Sequence, residues 1–290
     1  MERGALRDYG SLLKLRIAAL LLLVAAAGYL VTSGAAVQWT SFALLMAAGL
    51  LGSGGASAVN HYADRDLDRT MARTRGRPLP AGRVPPRNAL ALGIALLAAS
   101  MALSLLVNVL TAAFILLGFI FYVFVYTVGL KRRNVWNIVI GGFAGSCAGL
   151  AGGAAAANRI GESTALIALL VFLWTPGHFW ALAFRIREDY ARAGLPMLPA
   201  IMSEQNAAKW IVLSTAIVPP IALSFWVLRL SGFAYLVVAV AASIILLYFA
   251  VRFLRSPTGA NAWAGYKASG PYLAVLLVAL IADRLLALGV

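Results

Sequence analysis

Nine stretches of about twenty apolar residues recur along this chain, the length a helix needs to cross the hydrocarbon core of a bilayer. They run over 17–37, 41–60, 88–108, 111–130, 135–157, 163–184, 208–230, 233–251 and 271–289. Lipid offers no hydrogen bonds, so a spanning segment must satisfy its own backbone, as a helix or within a closed barrel. Barrel strands alternate polar and apolar residues over about ten positions, and these runs do not. With 62% hydrophobic and 12% charged residues, the sequence predicts an all-α polytopic membrane protein of nine transmembrane helices, with one transmembrane domain over residues 1–290. The first run follows basic residues, and Ala25, Ala26 and Ala27 resemble a signal-peptide cleavage site. Its apolar length instead predicts a retained helix.

The formal net charge is +14, which by itself suggests a polyanionic partner such as nucleic acid. The placement of charge argues otherwise. All but Arg159, Arg229 and Arg284 of the 24 Lys and Arg residues precede the first run or follow the second, fourth, sixth and eighth. That alternation is the positive-inside pattern, with the N-terminus cytoplasmic. The basicity is topological, and no nucleic-acid role is needed to explain it. The single cysteine, Cys147, has no disulfide partner, which argues against cysteine-based metal or redox chemistry.

The longest polar stretches are 61–87 and 185–207. Both follow an even-numbered run, so both face the cytoplasm and can meet over one cavity. Each runs from acidic into basic residues, a weak hint of duplication. Gly141, Gly145, Gly149 and Gly153 form a four-residue stripe in the fifth run, which predicts close helix packing and also room for a long, flat or isoprenoid ligand. Pro219 and Pro220 predict a kink in the seventh.

The residues from Asn60 to Arg83 carry the chemistry. Asn60, Asp64 and Asp68 recur every four positions, so on a helix their side chains fan over an arc of roughly 80°. Asp66 points away and is expected to be solvated. Carboxylates are costly at the end of a membrane helix. One reading is a solvated cap neutralised by neighbouring arginines. The other is a Mg²⁺–diphosphate site, with Asp64 and Asp68 on the metal and Arg73, Arg77, Arg83, Lys131 and Arg132 on phosphate oxygens. Spread positive charge of this kind stabilises a departing diphosphate. A nucleoside triphosphate would call for a phosphate loop, and Gly52-Ser53-Gly54-Gly55 lacks the Lys-Ser/Thr that completes one.

A second polar cluster runs from Trp174 to Pro199. His178 lies inside the sixth run, either as a hydrogen-bonded interior residue or as a contact to a flat ligand beside Trp174, Phe179 and Trp180. Glu188 and Asp189 at the cytoplasmic end either complete a second metal site or pair with Arg185 and Arg192.

The Asn60-xxx-Asp64-xxx-Asp68 run resembles the first aspartate-rich motif of the UbiA superfamily of intramembrane prenyltransferases. Nine helices with polar loops after the second and sixth also match. Within the superfamily, Asp64–Gly82, Leu130–Gly142, His178–Ala183 and Glu188–Pro199 resemble its haem-farnesylating branch. The resemblance covers nearly the whole chain. It implies a UbiA-type bundle and a Mg²⁺-dependent reaction in which the vinyl group of haem B attacks the farnesyl cation left by farnesyl diphosphate. Water then quenches the adduct, giving haem O and diphosphate. It further implies that Asn60, Asp64 and Asp68 bind the Mg²⁺–diphosphate, that Arg73, Arg77, Lys131 and Arg132 contact phosphate, and that the protein works in a bacterial-type inner membrane. Haem A synthesis or terminal oxidase assembly would lie downstream. Two departures stand out. The superfamily's second aspartate pair would fall near Ile186 and Tyr190 and is absent, leaving Glu188 and Asp189 as displaced candidates. The branch's Pro-Pro-His reads Pro176-Gly177-His178 here.

Two other functions fit parts of the pattern. A sister prenyltransferase acting on an aromatic or quinone precursor would share the first motif, but Pro196-Met197-Leu198-Pro199 stands where a second acidic pair would be. A cation or phosphate transporter would hold its charges near the bilayer midplane, whereas here they crowd at one membrane face.

Overall fold

The computed structural model describes residues 3–287, so the expected end of the last span at 289 lies outside the described residues. The elements in chain order are α1 (Arg3–Leu12), α2 (Leu15–Ser33), α3 (Trp39–Thr70), α4 (Pro86–Leu105) and α5 (Val109–Ile120), which continues as a π-helix over Phe121–Leu130. Then come α6 (Asn137–Gly141), α7 (Phe143–Ala157), α8 (Glu162–Arg185), α9 (Arg187–Arg192), α10 (Leu198–Ile201) and α11 (Glu204–Ala216). The chain closes with α12 (Val218–Val227), α13 (Phe233–Arg255) and α14 (Gly259–Ala287). Among the described residues, nine helical segments are long and apolar enough to cross a membrane, and α5 with its π-helix, α6 with α7, and α11 with α12 each make one.

Two spans differ from their sequence-based bounds for physical reasons. The second was expected to stop at residue 60, where apolar character ends, but α3 runs on to Thr70. Asn60, His61, Asp64 and Asp68 are held inside the protein, so loss of hydropathy does not end the helix. The last was expected to begin at Pro271, yet α14 starts at Gly259 and carries Pro271 within it. A proline in a membrane helix removes one backbone bond, and neighbouring helices and local adjustments compensate. The seventh span breaks at Ile217, with Pro219 in the first turn of α12, where its missing N–H costs nothing.

Small residues set the closest helix contacts. A Cβ on Gly28 would strike the Gly149 carbonyl, and one on Gly152 would strike the Ala25 carbonyl, so α2 and α7 pack backbone to backbone. The predicted glycine stripe is covered. Gly141 lies under the Tyr126 ring, Gly145 meets Val171, Gly149 meets Ile167 and Gly153 meets Thr164. The packing expectation holds, and there is no space along the stripe for an isoprenoid. The main core, including Val24, Ile167, Leu170, Trp174, Phe225, Tyr235 and Leu276, joins α2, α8, α12, α13 and α14. A second cluster built on Leu67, Ile138, Trp180, Phe184 and Met197 packs the C-terminal end of α3 against α8 and α10. Ile94, Val237, Ile244 and Ile245 remain exposed, as lipid-facing residues should.

Candidate active site

Asn60, Asp64 and Asp68 occupy the last three turns of α3 and are all at most 3% exposed. Two carboxylates in the final turns face the negative end of the helix dipole as well as desolvation, so cations must hold them there. Asp64 Oδ2 accepts from Lys131 Nζ at 2.6 Å and from Asn60 Nδ2 at 2.9 Å. The Arg132 guanidinium lies 3.9 Å from Oδ1. Asp68 Oδ2 accepts from Arg77 Nη1 at 2.7 Å. Asp66, by contrast, is 65% exposed and sits between Arg65 and Arg69. Of the basic residues read from sequence as phosphate contacts, Arg77, Lys131 and Arg132 are thus paired with the two carboxylates. One carboxylate oxygen, Asp64 Oδ1, is buried without a hydrogen-bond partner among the described residues.

The π-helix delivers the opposing wall. Its wider i to i+5 spacing is seen where Lys131 N–H donates to the Tyr126 carbonyl at 2.8 Å, and such turns cluster at functional sites. Thr127 Oγ1 donates to the Tyr122 carbonyl at 2.7 Å and accepts from Asn60 Nδ2 at 3.0 Å. Lys131, at the end of this segment, is thereby aimed back at Asp64.

Lys14 completes the cluster. From sequence it belonged to the N-terminal topology charges. In the structure its backbone is left-handed, φ 47° and ψ 52°, at the turn between α1 and α2. That conformation is uncommon for a residue with a Cβ, and it turns the side chain inward. Its ammonium donates to Asn60 Oδ1 at 2.7 Å and to the Tyr122 hydroxyl at 3.1 Å. The lysine therefore fixes the Asn60 amide with its oxygen on the ammonium and its nitrogen on Asp64. Lys14→Met is expected to lower turnover by about 10- to 100-fold, as loss of an outer-shell partner does, in steady-state rates on purified protein. No sequence signal separates Lys14 from its basic neighbours, because a single turn decides its direction.

The 71–85 loop packs over the carboxylates. Thr74 Oγ1 donates to the Asp68 carbonyl at 3.0 Å. Asp189 of α9 holds the loop's start. Its Oδ1 accepts from Ala72 N–H at 3.0 Å and from Arg192 at 3.2 Å, and its Oδ2 from Arg73 N–H at 3.4 Å. Burial acts to raise this carboxyl, but the Ala72 N–H, the Arg192 guanidinium and the Arg73 N–H outweigh it and hold it below the usual range. The stabilisation is therefore complete above the unfolded pKa of about 4 and fades as pH falls through the lower folded value. Asp189→Ala should cost about 1–2 kcal/mol at neutral pH, the cost of a lost cap. Limited proteolysis should then cut the 71–85 loop faster.

The remaining residues singled out from sequence are placed apart from this cluster or turned to other partners. Arg73 lies beside the Tyr190 hydroxyl. Arg83 pairs with Asp8 of α1 at 3.0 Å and donates to the Gly76 carbonyl. Glu188 is exposed, and Asp189 is engaged with backbone. His178 joins α8 to α14: its Nδ1 meets Ser269 Oγ at 2.5 Å, and its ring lies between Trp174 and Tyr266 at centroid distances of 4.2 and 4.4 Å. Trp174 Nε1 donates to the Ser269 carbonyl at 2.8 Å. Helix packing thus accounts for both faces and one nitrogen of this histidine. Among the described residues no three His, Cys, Asp or Glu side chains gather as a metal cluster.

A nine-span helical bundle with buried carboxylates and cations at one end is the architecture of intramembrane prenyltransferases. The chain belongs to the UbiA prenyltransferase family, whose model matches residues 21–279. It is 46% identical over 278 residues to the protoheme IX farnesyltransferase of Metallosphaera sedula, covering 96% of each chain. In fold it is similar to a digeranylgeranylglyceryl phosphate synthase, with a TM-score of 0.80 at 19% identity over 97% of this chain and 99% of the other. It is also similar to a UbiA homolog from Archaeoglobus fulgidus bound to GPP and Mg2+, with a TM-score of 0.68 at 20% identity over 94% and 99%.

Proposed function

We propose that this protein, as one prenyltransferase domain, transfers a farnesyl group from farnesyl diphosphate to a vinyl group of haem B, with addition of water, to give haem O and diphosphate. The observation that carries the donor half is the buried Asp64–Asp68 pair held by Lys131, Arg132 and Arg77. Full-length similarity to a protoheme IX farnesyltransferase supports the acceptor half.

The residues fit a hard divalent cation. Asp64 Oδ1 is a buried carboxylate oxygen without a hydrogen-bond partner among the described residues, and Asp68 lies one turn away. Mg²⁺ takes one or two carboxylates and fills its remaining positions with water and substrate phosphate. Asp64 and Asp68 would hold it, and Glu188 and Asp189 are not needed for that count. When bound, the cation neutralises charge developing on the departing diphosphate.

The rest is the work of this chain's own side chains. Before substrate enters, carboxylates and cations neutralise one another, which keeps a desolvated site stable. A loaded diphosphate gives Lys131, Arg132 and Arg77 new anionic partners and leaves the carboxylates free for metal. Arg77 offers a planar fork to phosphate oxygens, and Lys131 a point charge that follows the leaving group. The site lies at the ends of α3 and α5 that the charge pattern assigns to the cytoplasm, in a bacterial-type inner membrane, upstream of haem A synthesis or oxidase assembly.

Incubating purified membranes with haem B, farnesyl diphosphate and Mg²⁺ should yield haem O by mass, and chelation should stop it. A farnesylated aromatic or quinone acceptor in place of haem would overturn the acceptor assignment.

A further inference from the structure

The diphosphate site leaves a second set of buried polar atoms unexplained. Ser57 Oγ and both ring nitrogens of His61 have no hydrogen-bond partner among the described residues, although Ser57 is 4% and His61 3% exposed. Helical spacing puts Ser57, His61, Asp64 and Asp68 within an arc of about 60° on α3. Ser57 and His61 are thus the next turns of the same face, further into the membrane than the carboxylates. The apolar residues beside them on α3 have packing partners: Ala58 clusters with Leu12 and Leu79, and Ala56 and Val59 cluster with Val123. The cations acting on His61 are Lys14, Arg77 and Lys131, the same ones that ring the diphosphate site. A hydroxyl and an imidazole, one turn apart, offer the two to four polar contacts that a buried water requires.

We propose that Ser57 and His61 bind the water molecule that adds to the farnesylated haem. The assignment rests on the haem-farnesylation reading and names residues for a step which that reading leaves without any. As the vinyl carbon bonds to C1 of the farnesyl group, the C–O bond to diphosphate breaks and positive charge moves to the vinyl carbon beside the macrocycle. The water held by the Ser57 hydroxyl and a His61 ring nitrogen turns a lone pair towards that carbon and forms the new C–O bond. The proton it releases passes to an oxygen of the departed diphosphate, the base that the reaction itself frees. Neither side chain changes protonation state. Their task is to keep one oriented water where the rest of the wall is apolar. Without it, the same cation loses a neighbouring proton to diphosphate and becomes an alkene, lighter than haem O by one water.

The test is product partition by mass spectrometry in membranes given haem B, farnesyl diphosphate and Mg²⁺. His61→Leu should raise the ratio of dehydrated to hydrated product by about tenfold, the weight of one hydrogen bond, while farnesyl diphosphate is still consumed. His61→Gln, which keeps a donor and an acceptor, should restore the hydrated product. Ser57→Ala removes one oxygen and should shift the ratio in the same direction, so it carries the test if His61→Leu does not fold. A wild-type ratio in both Ser57→Ala and a folded His61→Leu overturns the water site and leaves the reaction assignment standing. Failure of the wild-type protein to farnesylate haem at all overturns the reading beneath it.

Discussion

Asp64→Asn and Asp68→Asn should each lower turnover by about 10³-fold or more while the protein still folds and inserts. Each substitution keeps shape and removes a charge. Asp64 is 1% exposed and, among the described residues, supplies the one buried carboxylate oxygen without a hydrogen-bond partner, so the amide would leave a divalent cation with a single anionic protein ligand. Positioned charge at a leaving group is worth about 10²- to 10³-fold per contact in other enzymes, and here a metal contact goes with it. Folding should survive because Lys131 and Arg132 are 14% and 47% exposed in their side chains and can turn towards water. Detergent-solubilised variants should elute as the wild-type protein does, with Mg²⁺-dependent binding of farnesyl diphosphate weakened. Near-normal haem O formation by either one would rule out this motif as the metal site.

Arg77→Ala should slow turnover by about 10²-fold and raise the farnesyl diphosphate concentration needed for half-maximal rate. It removes a two-pronged phosphate contact and also leaves Asp68, 3% exposed in its side chain, without its ion-pair partner. A buried carboxylate stripped of its cation costs about 3–5 kcal/mol, so thermal stability without substrate should fall too. Arg77→Lys should recover most of the stability and only part of the rate, since a lysine restores charge but not the planar fork. Arg252→Ala is the control. That arginine is exposed at the end of α13, and its loss should change neither quantity. Equal behaviour of Arg77→Ala and Arg252→Ala would remove support for the phosphate role of the loop.

The expectation that the basic loop residues act together divides on inspection. Arg77, Lys131 and Arg132 converge on the carboxylates, whereas Arg83 turns to Asp8 and secures α1 to the loop. Asp189 pairs with Arg192, one of the two readings open from sequence, and it also caps the backbone where the chain leaves α3, which links the two polar loops.

What the sequence determined by itself is the part set by periodicity and by the cost of burial. Twenty-residue apolar runs leave the backbone no choice but helices, and their number and order follow directly. The four-residue spacing of Asn60, Asp64 and Asp68 puts them on one face whatever surrounds them, and their cost in a membrane calls for compensating partners. The tertiary structure alone decided which charges meet. Lys14, 46 residues from Asn60 in sequence, enters the site only because one left-handed residue reverses the chain. A π-helical register turns Thr127 and Lys131 inward, and nothing in that apolar run announces it. For His178 the sequence leaves an interior residue and a ligand contact both open, and in the structure two aromatic rings and Ser269 take it into the packing of α8 on α14. Hydrophobicity and spacing act along the chain and can be read there. Which oxygen meets which nitrogen depends on turns and helix contacts between distant residues, and those exist only once the bundle has closed.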